Sequence, residues 1–448
     1  MSLLIYSNIK SPRLEYILDF IFIEVLQSDY NLTSNFDHFK KSTSPKINYS
    51  NNTLEVTLQI KPHTLLFENT IGLQTISCFD WQGQKAFFKT SDNQIPFDIF
   101  SGCFYLISRY EEYNSTKEDE FQRFPHTKSV AFQNGFLNLP LVDLWLLEFK
   151  KVLLEECPGF DCKDREFTFL PTYDIDIAYS YRFKGFWRGL GGGVRDLIKG
   201  KIGAVFHRTF TVMRLAKDPY DTFDFLDKIH QKYGLAPIYF ILVGNSGEFD
   251  KNISIQSPAM KKLIKSISQK YEIGLHPSYQ SNEAVQIIIE ERKNLRLVAE
   301  KKIKKTRQHY IKFALPDTYN NLLQLGFEEE YSMGYGSING FRASTSFSYL
   351  WYDVSKEMSS KLRIFPFCFM ECNSKFEQKQ DVEETKDELH HYINVIKETG
   401  GMFISVWHNF SLGNERQWKG WQKLYEHQVE KSTKKEAGLL KRIKKIFS

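Results

Sequence analysis

From about residue 166 onward the chain alternates short apolar runs with amphipathic helical stretches, and this rhythm restricts its fold more than any other feature. "EFTFLPTYD", "APIYFILVG", "EIGLH", "KKTRQHY", "LRIFPFCFM" and "GMFISVWH" read as strands, separated by stretches such as "DTFDFLDKIHQKY", "PAMKKLIKSISQKY" and "VEETKDELHHYINVIKETG". Regular strand–helix alternation predicts a parallel sheet with crossover helices, and this many units favours a barrel over an open sheet. The first 165 residues lack that rhythm. They mix a helix near 12–27, alternating stretches such as "NTLEVTLQI", and the helical run "PLVDLWLLEFKKVLLEE". "ECPGFDCKD" reads as a linker, because Pro and Gly interrupt the pattern. The expectation is therefore an α/β protein with a smaller α/β domain over 1–165, a parallel (β/α) barrel over 166–430 and a basic tail over 431–448.

Composition narrows the partners. The formal net charge of the 448 residues is +5, and the basic residues are scattered except in "KSTKKEAGLLKRIKKIFS", which argues against nucleic acid. That tail reads as a frayed terminus, with weak contact to a membrane surface as the alternative. The 38 Phe and 23 Tyr suit core packing or walls on which a sugar stacks. The start "MSLLIYSNIKSPRLEYILDF" carries no export signal, and "LEYILDFIFIEVL" is broken by Glu15, Asp19 and Glu24, so it reads as an amphipathic helix rather than a membrane span. These features predict a cytoplasmic location. Six cysteines do not make a disulfide framework, and Cys368 and Cys372, spaced C-x₃-C with no second pair, do not make a zinc knuckle.

Two further segments call for a reading. "SRYEEYNSTKEDEF" is charge-rich and expected as an exposed turn. The long insertion containing Gly191–Gly193 lacks the spacing of a phosphate loop and does not join a strand directly to a helix, so a lid or irregular flap is expected there.

In parallel barrels the chemistry gathers at the C-terminal ends of the strands. Four apolar runs end in reactive residues: Asp174 and Asp176 after "FTFLPTY", His276 after "EIGL", Arg307 and His309 after "KKT", and His408 after "MFISVW". Converging on one mouth, they would suit a divalent metal held by imidazole and carboxylate, and acid–base work by a carboxylate and a histidine. Asp174 and Asp176 lie two apart and so share one face of a strand. His390 and His391 fall in a helical pattern, and His38, His63 and His126 in the first region, so all five read as structural or surface residues.

These stretches resemble the motifs of the polysaccharide deacetylases, the barrel enzymes that share the NodB homology domain. "TYDID" looks like a variant of T-F-D-D-G, "EIGLHPSYQ" matches the lead-in and first histidine of H-[ST]-x-x-H, "TRQHY" resembles the arginine motif, and "FISVWHN" resembles the final histidine motif. The resemblance spans roughly residues 166–430 and implies a deformed (β/α) barrel of the deacetylase type. The phrases "SRYEEY", "RQHY", "GFRAST" and "WHN" further resemble a bacterial subgroup in which an uncharacterised α/β region precedes the barrel, and for that region the resemblance implies no activity.

Carried over position by position, the resemblance implies Asp174 as catalytic base, Arg307 as the residue that orients it, His276 as a metal ligand, His408 as catalytic acid, and the Tyr310 N–H as an oxyanion donor. Two positions depart from the pattern. Ile175 stands where the metal aspartate would follow the base, which displaces the second carboxylate to Asp176, and Gln280 stands where the second metal histidine is expected. His309, at a neighbouring strand end, is the first choice for the missing imidazole. A site of Asp176, His276 and waters, or a metal-free site, are the alternatives. Arg342 in "GFRASTSF", where a further strand would end, and Trp407 are expected at the substrate.

The implied function is a metal-dependent hydrolase that removes N-acetyl groups from a sugar or glycan precursor, with zinc as the first choice of metal and cobalt, nickel or manganese as alternatives. A non-catalytic glycan-binding or assembly protein on the same barrel is the rival reading, and a related enzyme acting on a non-sugar C–N bond is a third.

Overall fold

The computed structural model describes residues 2–54, 58–115, 118–183 and 202–434. The Gly191–Gly193 insertion and the tail from 435 lie outside them. Near the N-terminus, β1 (Leu3–Tyr6), β2 (Tyr30–Thr33), β3 (Lys46–Tyr49) and β4 (Leu58–Ile60) form a parallel sheet in the order β2-β1-β3-β4. The expected first helix is α-helical over Pro12–Leu18, capped by the Ser11 side chain, and continues as a wider π-helical segment over Asp19–Val25. A hairpin of β5 (Phe79–Trp81) and β6 (Gln84–Ala86) and the helices Ile99–Ile107 and Leu141–Glu156 complete this part. No helix among the described residues is long and apolar enough to cross a membrane.

The larger sheet is built from β7 (Thr168–Ile175), β8 (Ile238–Leu242), β9 (Glu272–His276), β10 (Lys305–Thr306), β11 (Glu329–Glu330), β12 (Tyr349–Asp353), β13 (Met358–Ile364), β14 (Phe369–Met370) and β15 (Met402–His408). Its order is β12-β13-β11-β10-β9-β8-β7-β15-β14, and every pairing is parallel except β12 with β13. The strand–helix rhythm thus yields the parallel sheet it predicts. The closed barrel expected from the sequence differs in one respect: among the described residues no ladder joins β14 to β13. The outer edge of β13 is already taken by antiparallel β12, and Pro366, between β13 and β14, has no N–H to donate.

Strand alternation divides the side chains into two layers. Tyr173, Tyr239 and Trp407 face outward and are buried beneath the helices Phe223–Tyr233 and Trp421–Thr433, where Tyr173 and Trp407 contact Tyr425. Asp174, Phe240 and His408 take the other face. Gly274 makes room there, because a Cβ at that position would lie 2.5 Å from the Phe240 ring. The ring can then lie beneath Arg307, whose guanidinium carbon is 4.4 Å from its centroid.

One apolar core runs through both parts of the chain. Buried ion pairs and hydrogen bonds join them as well. Asp143 accepts from the Thr345 hydroxyl and from the amide and hydroxyl of Ser346. Arg342 forks onto Glu112 at 2.9 and 2.6 Å, and Arg109 donates to the same carboxylate at 2.7 Å. "SRYEEY" is therefore not the exposed turn that its charge predicts. Arg109 and Glu112 are buried because each charge meets an opposite one, which offsets the cost of removing both from water.

Candidate functional site

The register of the central strands brings the strand ends together. His408 of β15 sits opposite Asp174 of β7, and His276 of β9 opposite Leu242 of β8. Asp174, Asp176, His276, His309, Tyr310 and His408 all line one cavity of about 340 Å³.

Asp174 is buried and held by Arg307, whose Nη1 donates to Oδ1 at 2.9 Å. Arg307 is fixed in turn by donating from Nε to the Tyr331 carbonyl at 3.0 Å. Its orientation is thus set from outside the cavity, and the second oxygen of Asp174 faces inward, 3.7 Å from His276 Nε2.

Asp176, His276 and His309 form a second group, with one donor atom from each lying within 4.8 Å of the others. His276 Nε2 is 3.2 Å from Asp176 Oδ1, and His309 Nε2 is 3.5 Å from Oδ2. Each imidazole has its Nδ1 against an acceptor, the Arg307 carbonyl for His276 and Asp250 Oδ1, at 2.8 Å, for His309. With Nδ1 committed to an acceptor, Nε2 is the nitrogen left to face Asp176, and it would present its lone pair to a bound cation. Asp176 Oδ1 is buried without a hydrogen-bond partner among the described residues. A buried carboxylate with one oxygen orphaned and an imidazole Nε2 beside each oxygen, with buried acceptors behind the rings, fits a divalent cation of the zinc type. Burial disfavours the charge of Asp176, yet His309, His408 and His276 hold its carboxyl well below the usual range.

His408 meets Glu371, which follows β14. The Glu371 carboxylate accepts from the His408 amide at 2.7 Å and from its Nδ1 at 2.8 Å, and leaves Nε2 to the cavity, 3.4 Å from Asp176 Oδ2. Burial works against the imidazolium, but the Glu371 and Asp176 carboxylates outweigh it and raise the His408 pKa well above its ordinary value. Glu371, Cys372 and His408 also lie close enough to share an ion. Burial, however, pushes the Cys372 thiol up to about 12, so it offers no thiolate at neutral pH, and the group is better described as a hydrogen-bonded support for His408.

Tyr310 follows with left-handed backbone, φ 57° and ψ 11°. Its ring stacks on Phe121 at 5.1 Å, and its carbonyl accepts from Arg123 Nη1 at 2.9 Å. Phe121 and Arg123 come from the N-terminal part of the chain and line the same cavity.

Other sequence expectations are corrected. Trp407 does not face the cavity: alternation along β15 turns it to the opposite face from His408, where it is fully buried and donates from Nε1 to Gln428 at 2.8 Å. Arg342 is not at a strand end. It lies in a turn, buried, with its guanidinium spent on Glu112 and the Gly334 carbonyl. Gln280 is exposed and lies outside the cavity lining, and Ile175 is packed in the core on the other face of β7 from its two aspartate neighbours. None of His38, His63, His126, His390 and His391 lines the cavity.

Sequence reasoning missed Glu371, Asp250, Phe121 and Arg123. Glu371 carried a usable signal, since it ends the apolar run "FPFCFM" just as His408 ends "FISVW". Asp250 sits in the connection after β8, with no pattern around it.

Residues 3–158 match the model of a family described as one of unknown function, DUF7033. No curated protein matches the chain. Among solved structures, a putative polysaccharide deacetylase from Mycobacterium smegmatis is 13% identical, with 61% of this chain and 86% of that one covered and a TM-score of 0.40. The Puue allantoinase is 9% identical, with 62% and 87% covered and a TM-score of 0.41. A probable polysaccharide deacetylase from Pseudomonas aeruginosa is 10% identical, with 60% and 85% covered and a TM-score of 0.39. The chemistry of this chain rests on the residues of its own cavity.

Proposed function

We propose that the chain hydrolyses the amide of an N-acetylated sugar with the help of a divalent cation, releasing acetate and a free amine. The observation that carries this reading is the meeting, in one cavity, of a carboxylate clamped by arginine, a carboxylate with two imidazole Nε2 atoms beside it, and a histidine backed by a buried glutamate. Asp176, His276 and His309 would hold the cation, which supplies a Lewis acid for the acetyl carbonyl and a water of lowered pKa.

Asp174 is the base: its inward oxygen takes a proton from the attacking water, while Arg307 keeps the carboxylate oriented. The Tyr310 N–H donates to the oxygen that becomes negative in the tetrahedral intermediate. His408, held as imidazolium by Glu371, delivers a proton from Nε2 to the departing amine as the C–N bond breaks. A cytoplasmic glycan precursor, such as a nucleotide- or lipid-linked sugar, is the substrate class proposed.

The test combines metal content with turnover. Purified wild type is expected to carry about one equivalent of divalent metal, lost in His276→Ala and His309→Ala, and to release acetate from some member of a panel of N-acetylated sugars. Asp174→Asn is expected to remain folded and abolish release. Wild type that takes up no metal after reconstitution, or an Asp174→Asn variant with near-normal turnover, refutes the reading and moves the choice to a glycan-binding protein.

A further inference from the structure

The connection between β7 and the helix Phe223–Tyr233 leaves the sheet and returns to it at the strand ends that carry the proposed chemistry. On the way out, the amides of Ser180, Tyr181 and Arg182 donate to the buried Asp218 carboxylate at 2.7, 2.9 and 2.9 Å. On the way back, the Thr222 hydroxyl donates to the Asn409 carbonyl at 3.0 Å, and Asn409 Nδ2 donates to the Tyr220 carbonyl at 2.8 Å. Asn409 directly follows His408, and Ile177, next to Asp176, lines the cavity. Both stems of the connection are therefore fastened beside the cavity.

Between the stems runs the helix Ile202–Val212. One of its faces turns inward. The His207 ring lies 5.9 Å from that of Tyr181, the Arg208 guanidinium carbon 4.5 Å from the same ring, and Thr211 is buried. Phe206, Phe210 and Met213, spaced four and three apart, take the other face. The Met213 amide still donates to the Thr209 carbonyl at 2.9 Å, so Met213 continues the helical turn. Phe206 is 61% exposed, Phe210 48% and Met213 63%, and Leu215, just beyond the helix, 69%. A single exposed apolar side chain needs no explanation, but three on one face of a short helix do.

Charge decides what covers this face. Residues 202–217 include Arg208, Arg214 and Lys217 and no carboxylate. In sequence, 182–217 carries nine Lys and Arg against the single acidic residue Asp196, a larger excess than the +5 of the whole chain. An apolar helical face flanked by cations fits the interface of a bilayer, where apolar side chains sink toward the acyl chains and Lys and Arg meet anionic headgroups. Lysine is depleted from protein–protein interfaces, which makes a protein the poorer occupant.

We propose that the helix Ile202–Val212 docks this protein on an anionic bilayer surface, with Phe206, Phe210 and Met213 as its inserted face. Because its stems are fastened beside the cavity, docking brings the cavity to the headgroups and, within the proposed function, selects the lipid-linked sugar as substrate. That selection rests on the hydrolase reading, whereas the docking does not.

The experiment is flotation of the full-length protein with vesicles of phosphatidylcholine alone and of phosphatidylcholine with about 30% phosphatidylglycerol. Binding is expected on the anionic vesicles, about tenfold or more weaker on the neutral ones, and reduced by about 0.5 M salt. Phe206→Ser combined with Phe210→Ser should lower the affinity for anionic vesicles about tenfold or more, whereas Phe206→Trp should retain it. Leu297→Ser, at another exposed apolar position, should change nothing. Release of acetate from an N-acetylglucosaminyl lipid in the anionic vesicles should fall about tenfold in the paired variant, with release from a soluble N-acetylglucosaminide unchanged. No vesicle binding by wild type, equal binding to both vesicles, or binding indifferent to the paired variant overturns the proposal. Self-association that the paired variant abolishes, without flotation, overturns it in favour of a protein interface. Equal release from the lipid by both proteins refutes the choice of substrate. Vesicle binding through Phe206 and Phe210 without any acetate release by wild type leaves the docking standing and refutes the hydrolase reading instead.

Discussion

Replacing Asp250 by alanine separates a metal centre from a mere cluster of hydrogen-bonded histidines. Asp250 is buried, touches no other group of the proposed donor set, and acts through His309, whose Nδ1 it holds at 2.8 Å. Without it the imidazole loses both the fixed tautomer and the fixed ring angle that aim Nε2 at Asp176. Removing such a carboxylate from behind a metal-ligating histidine weakens binding by about 10–100-fold, equivalent to ~1.4–2.7 kcal/mol. The upper half of that range is expected, because His309 is one of two imidazoles in the group and its bond to Asp250 is charge-assisted. Asp250→Asn, which keeps an acceptor oxygen for Nδ1, should fall between wild type and alanine. Zinc affinity is measured by competition with a chromophoric chelator at fixed pH. Thermal melts of the metal-free proteins report the separate cost of leaving the Tyr279 amide, which donates to Asp250 at 3.1 Å, without its acceptor. Equal zinc affinity in wild type and Asp250→Ala would falsify the assignment of His309 as a ligand.

Three further outcomes are expected. Glu371→Gln should lower turnover of an N-acetyl substrate by about 100- to 10,000-fold and spare hydrolysis of p-nitrophenyl acetate, whose leaving group departs without a proton; equal losses on both would remove His408 from the acid role. His230, buried against Tyr173 at 2.7 Å, is lowered to about 4, mainly by burial. Its contribution to stability is present above the unfolded value near 6.5 and is lost as pH falls through 4, by roughly 3 kcal/mol, so denaturant titrations between pH 7 and 4 should show a slope that is reduced in His230→Gln. Arg342→Met should cost about 3–5 kcal/mol, because Glu112 loses one of its two arginine partners, while kcat/KM of the folded fraction stays unchanged; a KM effect at native stability would return Arg342 to the substrate.

Periodicity makes most of the strand ends of this chain legible, and its reach is limited by strand length and alternation. An apolar run followed by a polar residue marks a position at the mouth of a parallel sheet, and Asp174, His276 and His408 were visible that way because each run is long enough to declare a strand, whereas His309 follows a strand only two residues long. Glu371 ends an apolar run in the same way, but Pro366 interrupts that run and the strand it contains, β14, is only two residues long, which weakened the signal. Trp407 was misplaced through neglect of alternation, which sends adjacent residues of one strand to opposite layers. For Arg342 no local pattern existed, since its partner Glu112 is 230 positions away and belongs to a segment whose charge suggested exposure. The contribution of Phe121 and Arg123 was invisible for the same reason: a turn organised by its own aspartate, Asp119, whose Oδ1 accepts from the amides of both residues, looks like any other polar loop until the surface that it meets is known.

The pairing of β7 with β15 sets an order of assembly. Asp176, His276 and His309 are all made by the time synthesis passes residue 310, and the strands that carry or precede them, β7 to β10, are neighbours in the sheet. Glu371 and His408 emerge only later, and His408 reaches Asp174 when β15 adds to the far side of β7. A nascent chain therefore completes its candidate cation ligands well before it owns a proton donor. The pair proposed to act on an amide, Asp174 and His408, comes together only after the last strand has docked, so under the proposed function the chain would be able to hold an ion before it could act on an amide.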